Sequence, residues 1–417
     1  MAEHTIPAEQ QPALAAPESD RERMDARQQL ERGFAHHQAG RLERAERLYR
    51  AVLRQRPDNC DALHLLGLLA HARGDHAEAE QRLRGAIAGN RKSALYWRNL
   101  AAVLAARGKI GEAEGAYREV LRLSPEDFVA LNDLGGLYNR QRRLEEAVTC
   151  YRRAVAIQPG SAVAQYNLGN ALYKMGQRSD ALRHLRRSLE LEPTEARSLH
   201  MVRALSGEAA VSAPLDYVRS LFDDYAESFE RDLVERLDYQ VPILLREEFD
   251  ALLADDRRLG NALDLGCGTG LSGAAFRDRV DRLTGIDLSR RMIEQAAQKG
   301  IYDELTCAEA VQYLTAGEAS FDLFIAADVF IYVGVLDELF PAIAARAAPG
   351  AWLACSIERS KDTGVALQPS GRFAHSTAYI EAGATAAGFR VERAVDAVIR
   401  KGDDGEIDGA LYLLRKG

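Results

Sequence analysis

From residue 26 to residue 195, apolar and small side chains recur at helical spacing, and the pattern returns every 34 residues. Ala45, Ala79, Ala113, Ala147 and Ala181 mark the period. Four residues after each stands a bulky side chain (Tyr49, Leu83, Tyr117, Tyr151, Leu185), and twelve before each a small one (Gly33, Gly67, Ala101, Gly135, Gly169). Pro57, Pro125, Pro159 and Pro193 close four of the five units, with Arg91 in that place in the second. Each unit predicts a pair of helices. The small residue lets the two approach closely, and the bulky one is expected to fill the gap between neighbouring units. Proline ends the second helix because it cannot continue the hydrogen-bond ladder. One pair cannot bury its apolar face alone, so units 26–59, 60–93, 94–127, 128–161 and 162–195 must stack, with a helix around 195–206 as a cap.

After Gly207 the periodicity changes. Residues 217–237 and 242–254 read as two amphipathic helices, the second starting at Pro242. Strand and helix patterns then alternate, which predicts a mostly parallel sheet. The expected strands are 262–265, 283–286 ending in Asp287, a weak one before Ala308 and Glu309, 321–327 and 351–356. At the end, 389–401 and 409–417 are β-type runs joined by the turn-forming 402–408, which implies an antiparallel pair. The fold class is thus an all-α superhelical array followed by an α/β Rossmann-like domain, divided at 206/207.

Composition narrows the setting. Nearly half of the 417 residues (47%) are apolar, enough for two folded parts. Residues 1–25 lack the pattern and are expected to be disordered; they also lack the basic and apolar regions of a secretory leader. Cys60, Cys150, Cys267, Cys307 and Cys355 are scattered without a CxxC pair. That argues for a reducing compartment and against a disulfide framework or zinc ribbon. A soluble, cytoplasmic protein is expected. Residues 26–195 carry 28 basic and 20 acidic side chains, while 196–417 carry 24 and 36. A basic array precedes an acidic domain, and a nucleic-acid partner is disfavoured because single arginines dotted along helices are usually solvated.

The candidate chemistry lies at the carboxyl ends of the predicted strands, where an open α/β sheet binds ligands. Asp264-x-Gly266-x-Gly268-x-Gly270 places glycines where backbone must touch a ligand, without the GxGxxG spacing that holds a diphosphate. Asp287 ends the second strand about 20 residues on, where a carboxylate can accept ribose hydroxyls. Glu309 follows the third strand, placed for an adenine amino group, and Asp264 adds negative charge. The set suits a nucleoside bearing a sulfonium.

The repeat pattern resembles the tetratricopeptide family. Residues 216–417 resemble the class I S-adenosylmethionine-dependent methyltransferases, most specifically through ALDLGCGTG at 262–270. The resemblance implies a seven-stranded sheet, which the closing hairpin fits, and S-adenosylmethionine as cofactor. It implies that Asp264, Gly266, Cys267, Gly268 and Gly270 wrap the methionine part and ribose. Asp287 with Leu288 would hold the ribose, Ala308 and Glu309 the adenine, and Asp328 would close the fourth-strand motif. Glu309 stands where that family more often has Asp. The whole chain further resembles bacterial predicted methyltransferases fused to tetratricopeptide repeats, through SLFDDYAESFERDL (220–233), DVFIYVG (328–334), CSIE (355–358) and GRFAHSTAYI (371–380).

Methyl transfer from a sulfonium needs alignment and exclusion of water, and a base only where the nucleophile must lose a proton. Tyr225 and Tyr332 are candidates for the substrate pocket, and Glu358 and His375 for catalysis. Cys267 reads as a packing residue rather than a nucleophile, and no metal is called for. On the array, the first helices would present a concave face for a protein or extended peptide, and the array's basic charge suits an acidic one. Arg98, Asn99, Asn132, Asn139, Arg140, Tyr166, Asn167, Asn170, Tyr173 and Lys174 would line it. An Asn amide both donates and accepts, so it can pair with a peptide backbone of any sequence. His37, His64 and His71 fall near this face without completing a metal ligand set. The alternative is a non-catalytic adaptor with a cofactor-sensing or relic domain.

Overall fold

The helix pairs of the array start where a side chain can cap them. Asn59, Ser93, Asp127 and Ser161, one per 34-residue period, each accept from a backbone amide three residues on. The pairs are Asp20–Gln38 with Leu42–Gln55, Cys60–Ala72 with His76–Gly89, Ala94–Ala106 with Ile110–Leu123, and Phe128–Arg140 with Leu144–Ile157. Ala162–Lys174 begins the fifth. This computed structural model describes residues 20–226, 229–230, 233, 239–253, 257–402 and 405–417. Of the segment expected to be disordered, 1–19 lies outside the described residues, and from Asp20 the chain is helical.

In three units the bulky residue packs against the glycine of its own helix pair. A Cβ added at Gly33 would lie 2.5 Å from Tyr49, at Gly67 2.9 Å from Leu83, and at Gly135 2.7 Å from Tyr151. Each large side chain therefore fills the groove left by the glycine of its own helix pair. Tyr117 also reaches the next unit, its hydroxyl 3.4 Å from Asp133 Oδ2.

Within each pair the turn is left-handed. Gly40, Gly74, Gly108 and Gly176 have positive φ at that point, and Arg142 takes the same place in the fourth unit with φ of 59°. An L side chain is strained there. Arg142→Gly is expected to raise stability by about 1 kcal/mol, read as a higher denaturant midpoint at constant slope.

The chain forms two compact units, Met1–Gln177 and Arg178–Gly417. The division falls inside the fifth repeat, earlier than the 206/207 division expected from the pattern. Helices Arg178–Leu191 and Ala196–Ser206 belong to the second unit, and Arg178 donates to the Leu205 carbonyl. Leu215–Tyr225 and Val241–Leu252 follow. The remainder of the expected 217–237 helix lies largely outside the described residues.

Nine strands follow: β1 (Leu259–Leu265), β2 (Val280–Asp287), β3 (Glu304–Cys307), β4 (Phe321–Ala326), β5 (Ala347–Glu358), β6 (Val365–Leu367), β7 (Phe373–His375), β8 (Phe389–Gly402) and β9 (Gly405–Lys416). Seven form one sheet in the order β3-β2-β1-β4-β5-β9-β8. β1 to β5 are parallel, and β9 runs antiparallel to β5 and β8. β6 and β7 form a separate hairpin after β5 that the sequence pattern did not predict. Alternate residues of the central strands feed two cores: Leu263, Leu265 and Phe324 on one face, Ala262, Leu323 and Ile325 on the other. Burial on both faces explains why these strands read as continuous apolar runs. The strand order reverses between β1 and β4, and open α/β sheets leave a crevice at such a point, here the end of β1.

Candidate active site

At that crevice the chain leaves β1 through Gly266, Gly268 and Gly270, all at positive φ (61°, 54° and 95°). A Cβ at Gly266 would lie 2.9 Å from Val329, just beyond β4, so the turn passes tightly beneath the neighbouring loop. Cys267 N donates to Ile286 O at 2.9 Å, tying the turn to β2. Its thiol is buried and pushed well above the usual range by burial and two carboxylates, which suits packing and not nucleophilic attack. Thr269 Oγ1 is buried beside the glycines without a hydrogen-bond partner among the described residues.

Two carboxylates face this turn. Asp287, at the end of β2, accepts from Gly268 N at 2.9 Å and from Ser289 N at 2.8 Å. Burial lifts it to about 6 against the pull of those amides. Asp264 is 1% exposed and accepts from the Tyr302 hydroxyl at 2.7 Å. Burial raises it to about 7; the Tyr302 bond opposes this and Asp287 adds to it. Tyr302 had no signal in the sequence. It threads across glycines, since a Cβ at Gly273 would lie 2.2 Å from its hydroxyl and one at Gly285 2.7 Å from its ring.

An aromatic group covers the turn. Phe222 meets Tyr332 (ring centroids 5.0 Å) and Phe229 (6.0 Å), and Tyr225 meets Phe229 (5.5 Å). A Cβ at Gly268 would lie 3.7 Å from Phe229. Tyr225 and Tyr332 thus belong to one aromatic chain, linked through Phe229 and Phe222. Asp223 anchors this cover by accepting from Ser289 Oγ at 2.5 Å, and Lys299 pairs with Glu230 at 2.5 Å.

Other expected residues are differently engaged. Glu309 caps its own helix, Ala310–Ala316, accepting from Val311 N at 2.9 Å and Gln312 N at 2.7 Å. Each oxygen keeps a second lone pair for a ligand. Leu288 O accepts from the Cys307 thiol at 3.5 Å, and Ala308 N donates to Asp287 O at 2.9 Å. Asp328, at φ 58°, is the centre of a charge network. Its amide donates to Ser356 Oγ at 2.8 Å, that hydroxyl donates back to Oδ1 at 3.1 Å, and Arg400 binds Oδ2. Arg400 also donates to Glu358 Oε2 at 2.7 Å, which Arg372 Nε approaches at 3.4 Å.

The two residues expected to be catalytic both have partners within the fold. Glu358 is a counterion between two guanidiniums, Arg372 and Arg400. His375 is 0% exposed, donates from Nε2 to Gly334 O at 2.7 Å and stacks on Tyr379. Burial lowers its pKa and keeps it neutral, so it braces the loop after β4 from within. Among the described residues no group of three or more His, Cys, Asp or Glu could hold a metal.

On the repeats, the amides expected to be open are linked along the array. Asn99 bonds His64 at 2.6 Å, Asn167 donates to Asn132 at 2.8 Å and Lys174 to Asn139 at 3.1 Å. Arg98 pairs with Asp127 at 3.1 Å. Burial drops His64 to about 4, so it is neutral, and its bond to Asn99 is one of these links. The ladder fixes the face while leaving each amide part of its bonding capacity. Arg140 is exposed and Asn170 partly so.

Comparison with known proteins places these features. Residues 262–350 match the family model of a methyltransferase domain, and residues 36–103 and 126–192 match tetratricopeptide repeat models. No curated protein matches the chain. Among solved structures, MamA is similar at 24% identity over 39% of this chain and 96% of its own, with a TM-score of 0.37. YrrB, described as a TPR protein with an unusual peptide-binding site, is 22% identical over 43% and 92%, with a TM-score of 0.38. PilF of Pseudomonas aeruginosa is 19% identical over 45% and 85%, at 0.43. With tetratricopeptide repeat matches at the N-terminal side and a methyltransferase-domain match over the glycine turn and both carboxylates, the chain has the make-up of a fusion of tetratricopeptide repeats with a methyltransferase domain.

Proposed function

We propose that residues 207–417 bind S-adenosylmethionine and transfer its methyl group in line to an acceptor, while repeats spanning 26–206 recruit a protein or peptide. When bound, S-adenosylmethionine supplies a methyl carbon on a positively charged sulfur that is already a good leaving group. The observation that carries the reading is the pair of buried carboxylates around a three-glycine turn, Asp264 and Asp287, both raised by burial. A cationic ligand restores the charge that burial disfavours. Asp287 would hold ribose hydroxyls on the lone pairs its amide bonds leave, and Glu309 would accept from the adenine amino group. Gly266, Gly268 and Gly270 let backbone approach the ligand, with Cys267, Leu288 and Ala308 beside it. Phe222, Tyr225, Phe229 and Tyr332 would exclude water and hold the acceptor in line. Five free cysteines support a reducing, cytoplasmic setting.

The carboxylates supply the test. Their folded pKa values, about 7 and about 6, lie above the ordinary aspartate value, so each ion costs stability at neutral pH and the unliganded fold gains as pH falls toward 4. Binding of a cation runs the opposite way, because it needs the ionised forms. Calorimetric affinity for S-adenosylmethionine should weaken from pH 8 to pH 5.5, by up to about tenfold per pH unit for each proton taken up. An affinity that does not change over this range would remove the two carboxylates from the site, and no measurable binding would defeat the reading.

A further inference from the structure

The helix that follows the repeats is bonded to the β6–β7 hairpin, which follows β5. His200, in Ala196–Ser206, is 1% exposed and donates from Nε2 to Gly371 O at 2.7 Å. Burial lowers its pKa, so the ring is neutral. Gly371 lies in the tip joining β6 to β7, at φ 79°, where an added Cβ would sit 3.0 Å from the Tyr217 hydroxyl and 3.3 Å from Met201. The His200 ring lies 4.4 Å from that of Tyr217, and Phe373 closes a small apolar cluster with Tyr217 and Ala213. The next residue in the tip is Arg372, whose contact with Glu358 enters the Arg400–Asp328 network. A parallel tie runs from the segment after the helix: Val335 N donates to Val211 O at 2.8 Å, next to the loop that carries Tyr332.

We infer that His200 is a positioning residue for the acceptor. It sets the β6–β7 tip, and hence Arg372 and Glu358, so that the end of the repeat region forms one wall of the acceptor site. Loops beyond the carboxyl ends of a parallel sheet line its site, and these two loops follow β4 and β5. A buried imidazole donor can hold such a tip because the tip's apolar cluster is separate from both cores of the sheet. The inference rests on the methyltransferase reading for what the wall faces, but the tie itself does not.

The test uses the full-length protein with His200→Ala and His200→Gln, since a Gln amide can place a donor where Nε2 stands. In His200→Ala, backbone amides of 364–376 should exchange hydrogen about tenfold faster, while β1 to β4 keep their protection. His200→Gln should recover most of that protection. With labelled S-adenosylmethionine and dialysed host lysate as the acceptor source, His200→Ala should raise the apparent KM several-fold, leave kcat within about twofold and leave cofactor affinity unchanged. Unchanged exchange at the tip overturns the inference. So does loss of protection across the whole sheet, or a Gln variant as labile as Ala, since either makes the ring a packing element only. Failure of the wild-type protein to bind cofactor would instead defeat the proposed function, with tip exchange still measurable.

Discussion

Arg400→Met should destabilise the second unit by about 3–5 kcal/mol, the range for removing one partner of a buried ion pair. Arg400 is 6% exposed on β8, and its guanidinium is the shared partner of Asp328 and Glu358. Burial works against its charge, and the carboxylates led by Asp328 more than restore it, so its pKa is raised. Methionine fills similar volume but leaves two carboxylates without their main counterion. Denaturant unfolding should show the loss as a lower midpoint. Adding Asp328→Asn should recover part of it, because neutralising the carboxylate that loses its cation removes its desolvation cost. A single-variant loss under 1 kcal/mol, or a double variant showing simple additivity, would show that water or another cation compensates Asp328 and Glu358.

Asp287→Ala should weaken S-adenosylmethionine binding at least tenfold, about 1.4 kcal/mol or more, with little change in fold stability. Its carboxylate is oriented by Gly268 N and Ser289 N before any ligand arrives, so no ordering is required on binding. Removing it leaves ligand hydroxyls unpaired in a buried site. The loss of two amide bonds should be largely offset in stability, because burial raises the pKa of this group and its ion is a cost to the unliganded fold at neutral pH. Calorimetry reads the first expectation and thermal unfolding the second. Unchanged affinity would exclude Asp287 as a ribose ligand; a large fall in melting temperature would make it a structural anchor of the glycine turn.

What could be read from the sequence alone was local or periodic. The 34-residue repeat was legible because helix pairs bury the same positions each time, and the caps and turn glycines recur with them. The order of β-type and helical runs, the glycine turn and Asp287 were legible because each depends on a few neighbouring residues at the end of a strand. Periodicity did not say that Tyr49, Leu83 and Tyr151 turn into their own helix pairs while Tyr117 also reaches the next one.

Tertiary structure alone decided the rest, because the partners are remote in the chain. Tyr302 and Asp264 are 38 residues apart, Arg400 and Asp328 72, and His200 and Gly371 171. Arg400 sits in a run that alternates toward solvent, and a register shift between Val398 and Arg400 buries both Ile399 and Arg400. Glu358 and His375 were placed at the correct edge of the sheet, but position along a loop does not fix what a side chain faces. In the fold, two guanidiniums occupy Glu358 and a backbone carbonyl occupies His375, because buried polar groups must find partners wherever packing puts them.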